Sequence, residues 1–167
     1  MIQVVREVLE LWEGECVVRA IRSDGASITP VARRIEARAG ADIRRRVEAM
    51  GELPVGSAVL TPGGELPVRF LLHVVLQSAQ SAVTPAVVHR ATSNALARAV
   101  DFAMDELALP PLGTHAGNLE AEESAHAMAA ALAEHRGRHA EPASLVVVVE
   151  TEYELDVFDR ALRGVEV

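Results

Sequence analysis

Aromatic residues make up only 3% of this chain, so its core has to be assembled from Ala, Val and Leu. Small side chains of that kind suit close packing of helices on a sheet. Cysteine occurs once, as Cys16, which excludes an internal disulfide and any cysteine-based metal cluster. Within Glu15-Cys16-Val17-Val18 it reads as a small buried hydrophobe, not a nucleophile. Long apolar runs are missing too: Leu145–Val149 is far short of the roughly 20 residues that cross a bilayer. No secretory leader is visible, and a soluble cytoplasmic protein without membrane contact is expected. Positive charge is scarce, with 16 Lys and Arg against 24 Asp and Glu and a net charge of −8, which argues against a nucleic-acid-binding surface. Neither a G-x-S-x-G nucleophile elbow nor an H-E-x-x-H zinc helix occurs.

What the 167 residues do contain is an alternation of strand-like and helix-like segments. Met1–Val5 and Glu15–Ile21 read as strands. Thr29-Pro30 has the form of an N-cap followed by a first-turn proline, opening a helix with Val31, Ile35 and Ala39 on one face and Gly40 as its stop. Asp42 then caps a second piece, with Ile43, Val47 and Met50 on one side and Gly51 at its end. Ser57–Thr61 and Val68–Leu76 are strands joined through the Pro62-Gly63-Gly64 turn. Thr84-Pro85 repeats the capping device and opens a helix that runs to about Glu106, its stripe passing through Val88, Ala91, Ala95, Ala99, Phe102 and Ala103. Leu107–Leu112 follows as a strand, two prolines notwithstanding. Asn118 caps the next helix, buried through Ala121, Ala125, Met128, Ala129 and Leu132, and Arg136–Glu141 is a polar loop. Ser144–Val149 is a strand covered on both faces. Thr151 and Glu154 stand at capping-box spacing ahead of a last helix with Leu155, Phe158 and Leu162 inside. The pattern predicts one α/β domain over residues 1–167, a three-layer α/β/α sandwich with a central mixed sheet.

The segment Leu109-Pro110-Pro111-Leu112-Gly113-Thr114-His115-Ala116-Gly117-Asn118-Leu119 sets two glycines around three small or polar residues, just ahead of a helix. It has two readings. Gly113 and Gly117 can take positive φ and let main-chain amides approach an anion, with the helix N-terminus adding free N–H groups and its dipole. Equally, such a turn can simply end a buried strand. Among the six histidines, His73 on an apolar strand reads as a satisfied core residue. His135 and His139 are spaced i, i+4, but Gly137 interrupts them, so no metal is expected. Arg33, Arg34, Arg38, Arg44, Arg45 and Arg46 form the one basic cluster, read first as solvated helix faces paired with Glu36 and Glu48.

Taken with Gly56-Ser57-Ala58-Val59-Leu60-Thr61 and the stretch Gly64-Glu65-Leu66-Pro67 through His73, this glycine loop resembles the macro domain family of ADP-ribose-binding modules. That family carries G-x-A-x-x-T, then x-G-x-L-P and an apolar strand ending near His, then a helix and a P-x-L-G-T-G-x-G phosphate loop. The resemblance implies the sandwich fold, a site for ADP-ribose or a related nucleotide diphosphate, and contacts from Gly113, Thr114, His115, Ala116, Gly117 and Asn118.

The first half of the chain departs from the family pattern. Arg6-Glu7-Val8 stands where G-D-I meets adenine, and Arg19-Ala20-Ile21-Arg22 replaces N-A-A-N, with both asparagines gone. Of the G-x-G-V-A-G-A-I diphosphate loop, the stretch from Ile28 to Ile35 keeps only Val31, Ala32 and Ile35. Pro30 has no N–H for a phosphate, and Ile28 and Arg33 carry side chains where glycine allowed close approach. Glu120, Glu122 and Glu123 satisfy the dipole of the helix after the second loop and repel a diphosphate. A divergent, partly degenerate member is therefore expected. Val31 remains from the first loop, and Arg33 and Arg22, with Arg19, supply side-chain charge in place of lost amides. No hydrolysis, no catalytic residue and no cofactor are expected. The alternative is a non-catalytic scaffold whose cleft is filled and whose surface mediates self-association or partner contact. A shifted register of Ser23 to Arg34, bringing Asp24 or Gly25 into use, also stays open.

Overall fold

The computed structural model describes residues 1–115 and 119–165. Strand β1 (Ile2–Arg6) leads through a short 3₁₀ turn, Leu9–Leu11, into β2 (Gly14–Arg22). Helices α1 (Pro30–Ala39) and α2 (Ala41–Glu48) follow, then β3 (Ala58–Pro62), β4 (Val68–Gln77) and α3 (Pro85–Asp101). The chain closes with β5 (Glu106–Leu109), α4 (Ala121–Arg136), β6 (Ser144–Val149) and α5 (Glu152–Leu162). The sheet order is β1-β6-β5-β2-β4-β3, parallel throughout except for the antiparallel β3–β4 pair. This is the expected mixed sheet.

Alternating strand positions feed two apolar layers. Cys16, Val18 and Ala20 of β2 and Leu145, Val147 and Val149 of β6 join the side covered by α3, α4 and α5. Val17, Val146 and Val148 join the side covered by α1, α2 and the 3₁₀ turn. Strands buried on both faces have no polar positions to alternate with, which is why β6 is a continuous valine run. Cys16 is fully buried and its thiol is pushed up to about 12 by that burial, so it is a core side chain and not a nucleophile.

The capping signals hold where their chemistry was specific. Thr29, Thr84 and Thr151 each accept a hydrogen bond from the third helical N–H of α1, α3 and α5, at 3.0, 3.2 and 3.1 Å. Expectations differ at four elements. Helix α2 is entered through Gly40 at φ 101°, with Asp42 inside the first turn, and Met50 lies outside the core, 41% exposed. Helix α3 ends at Asp101 and not near Glu106, because Ala103 turns into the left-handed region at φ 51°. Phe102 consequently leaves the stripe and is exposed. Strand β5 stops at Leu109, since Pro110 and Pro111 have no N–H to continue its ladder. Helix α4 is capped by Glu120 in a reciprocal pair with Glu123; Asn118, the expected cap, lies outside the described residues.

Candidate functional site

Parallel strands deliver their C-terminal ends to one edge of a sheet, and a crevice forms there. In this chain the edge carries a small cavity of about 20 Å³, walled by Leu9, Ala20 of β2, Thr29 and Val31 at the start of α1, Pro110, Pro111 and His115 after β5, and Val148, Glu150 and Glu154 around the β6–α5 junction. That volume holds about one water molecule. It opens beside a groove of about 470 Å³ lined by Arg6, Glu7, Val8, Glu10, Arg34 and Glu150.

The first wall is the N-terminus of α1. The Thr29 hydroxyl already takes the N–H of Ala32, and Pro30 has none, so Val31 carries the one remaining donor in the first turn. The second wall is the loop after β5. Gly113 has φ 89°, and a Cβ there would meet Leu119, Val88 and Val83 side chains at 2.7, 2.9 and 3.0 Å. Its glycine is therefore required twice, by conformation and by apolar packing. Thr114 is 5% exposed and its hydroxyl has no partner among the described residues. His115, at φ 61°, occupies the left-handed region in spite of its Cβ. Ala116, Gly117 and Asn118 lie outside the described residues.

The third wall is acidic. Glu154, 5% exposed, accepts from the Glu150 N–H at 3.3 Å and from the Thr151 hydroxyl at 3.2 Å through Oε1. Its Oε2 meets His115 Nε2 at 2.9 Å. Arg34 donates through Nε to Glu10 Oε1 at 2.6 Å and through Nη2 to Glu150, and both neighbours hold its guanidinium above the ordinary arginine range. Glu10 is buried, and its second oxygen has no partner among the described residues.

The structure thus brings Val31 and His115 to one cavity, with Gly113 and Thr114 in the same loop as His115. Arg33 and Arg22 go elsewhere. Arg33 lines a separate groove with Asp24, Ser27, Glu36 and Glu48, and Arg22 is bound to Asp24, its Nε at 3.0 Å. Arg19 is buried and committed to Ser27 at 2.6 Å, His73 at 2.9 Å, Glu36 at 3.1 Å and the Ala32 carbonyl at 3.4 Å. Burial lowers its pKa, and Glu36 opposes that shift. Glu10, Glu150 and Glu154 were not singled out from the sequence as site residues. Glu154 was legible only as a capping-box member, because nothing in one dimension shows that the same carboxylate also faces the glycine loop. His135 and His139 stack at 5.0 Å between ring centroids, but His135 Nε2 is taken by the Glu141 carbonyl at 2.7 Å. Among the described residues no cluster of three metal-ligating side chains forms, and no helix is long and apolar enough to cross a membrane.

Comparison with known proteins follows the same line. An uncharacterized protein of Aeropyrum pernix is 30% identical over 128 residues, 76% of this chain; the chain spans 63% of that relative's own length. The macrodomain of Oceanobacillus iheyensis with MES bound superposes with a TM-score of 0.87 at 18% identity, covering 96% of this chain and 89% of that one. The Trypanosoma brucei macrodomain in complex with ADP-ribose gives 0.87 at 16% identity, covering 96% and 68%. At those identities the two structures establish the fold. The family model for the Macro domain matches residues 18–128, well over half of the sequence and including both the strand that carries Arg19 and the loop that carries Gly113, so the chain belongs to the macro domain family.

Proposed function

We propose that this macro domain is a binding module for ADP-ribose or a related nucleotide diphosphate, with one of its two phosphate-facing loops retained and the other rewritten. The observation that supports it most is the loop after β5: two successive left-handed positions, Gly113 and His115, flank a buried Thr114 hydroxyl that has no partner among the described residues, beside the Val31 donor. Unpaired donors at a strand's C-terminal edge are the usual basis of anion recognition in this class of sheet. Gly113, Thr114, His115 and Val31 are the contacts we assign, with Ala116, Gly117 and Asn118 completing the loop in sequence. Arg33 and Arg22 act at most at long range, because Arg22 is bound to Asp24 and Arg33 lines the groove around it.

The reading is of binding without hydrolysis. The segments on which the family's hydrolysis leans, the asparagine pair and the first glycine loop, are replaced here by Arg19 to Arg22 and by Ile28 to Ile35. Purified protein is expected to show saturable heat with ADP-ribose at micromolar affinity and no release of ADP-ribose from a modified protein. Silence at millimolar ligand contradicts the module, and measurable release contradicts the absence of catalysis. One observation favours the second reading, a filled scaffold: the cavity of about 20 Å³ is far below the several hundred Å³ that a ligand of this size occupies. Under the module reading, binding has to open it.

A further inference from the structure

We propose that Glu154, held in place by His115, is the residue that decides whether the cleft admits an anion, and that the His115–Glu154 contact closes the site in the free protein. The inference rests on the nucleotide-diphosphate reading of the cleft and names what regulates it.

Three observations carry it. First, the contact joins two walls of the cavity: His115 belongs to the loop after β5 and Glu154 to the first turn of α5, after the neighbouring strand β6, and the 2.9 Å bond between them joins residues that both line the cavity. Second, Glu154 is satisfied entirely by protein, with Oε1 taken by the Glu150 N–H and the Thr151 hydroxyl and Oε2 by the imidazole. A carboxylate 5% exposed and so fixed is a stationary negative charge on the wall where the diphosphate is to lie. Third, His115 holds a left-handed conformation that costs a residue with a Cβ, and the bond to Glu154 is what its side chain gains there. Glu150, the other carboxylate on this wall, is already countered by Arg34, so it does not take part in the closure.

Entry of a diphosphate therefore requires His115 to leave Glu154, which puts phosphate oxygens against a buried carboxylate that has lost its partner. Like charges so placed weaken binding. A neutral ligand of the same cleft pays for the opening but not for the charge.

The test is a set of calorimetric titrations of wild type, Glu154→Gln, His115→Gly and the double variant, with ADP-ribose and with adenosine as a neutral probe. Glutamine keeps the acceptor for the Glu150 N–H and removes the charge; glycine removes the bridge and relieves the backbone. Thermal unfolding of each variant checks that it folds. Glu154→Gln is expected to tighten ADP-ribose by about tenfold or more while changing adenosine by less than about twofold, and His115→Gly is expected to tighten both. The two substitutions are expected to be non-additive, because His115 and Glu154 are in direct contact. Wild-type binding that both variants leave unchanged or weaken overturns the inference and leaves the binding module standing. Silence of all four folded proteins at millimolar ADP-ribose overturns both.

Discussion

His73 shows how a residue that looks chemically useful is consumed by the fold. It sits on β4, fully buried, with Arg19 Nη1 at 2.9 Å from Nδ1 and the Thr61 hydroxyl at 2.8 Å from Nε2. Arginine only donates, so Nδ1 accepts and Nε2 carries the proton. The Thr61 hydroxyl then accepts from His73 and donates to the Pro62 carbonyl at 3.0 Å. Thr61 and His73 are two of the residues that make the sequence resemble its family, and the structure gives both a structural task. Burial, and next the Arg19 charge, lower the His73 pKa to about 3. Unfolded histidine titrates near 6.5, so below that pH the unfolded chain binds more protons than the folded one. The stabilisation from a neutral His73 is complete above about pH 6.5 and is lost as pH falls towards 3, by up to about 1.4 kcal/mol per pH unit. His135 is also lowered, chiefly by burial, and acts in the same direction. Urea unfolding is expected to show stability falling from about pH 7 to about pH 5, with a shallower slope in His73→Gln. Equal slopes would mean that His73 does not carry the proton difference.

At the scale of elements, the end of α3 is the informative case. The Met104 N–H reaches the Ala99 carbonyl at 2.9 Å and the Ala103 N–H reaches the Val100 carbonyl at 3.0 Å. With Ala103 left-handed and Met104 buried, this is a Schellman ending built without glycine. Ala103→Gly is expected to raise stability by about 0.5–1 kcal/mol in denaturant unfolding, because glycine adopts that conformation without the Cβ penalty. A loss of stability would show that the alanine methyl matters more than the backbone. The same position explains what could be read in advance. Where a boundary is written in side-chain chemistry, as in the three threonine caps, the sequence locates it to the residue. Where the boundary is a backbone turn on an alanine, or a cap supplied by Glu120 in place of an Asx or hydroxyl residue, local patterns carry no mark of it. The cleft divides in the same way. Val31 and His115 are legible from motif position, whereas Glu150 and Glu154 become neighbours of the loop, and Glu10 of the adjoining groove, only when β1, β6 and α5 assemble on one edge of the sheet.

For the whole molecule, parallel strands aim their ends at one rim, and this rim carries paired charges. Arg34 ties the start of α1 to Glu10 and Glu150, while Arg6 extends the chain of contacts to Glu152 at 2.8 Å. The arginines of α2 are spent on Asp42 and Glu48, at distances of 3.2 to 3.9 Å on exposed surface, where such pairs contribute about 0–1 kcal/mol and define no binding face. The macro fold is intact, and the entrance to its cleft is lined by Glu10, Glu150 and Glu154, with Arg34 pairing the first two. Binding of ligand at this entrance, through the loop after β5, is read residue by residue by amide chemical-shift mapping of the wild-type protein titrated with ADP-ribose. Shifts at Val31, Thr114 and His115 are expected to saturate together, with Arg22 and Arg33 unmoved. Shifts centred on the Asp24 groove, or none at millimolar ligand, would contradict it.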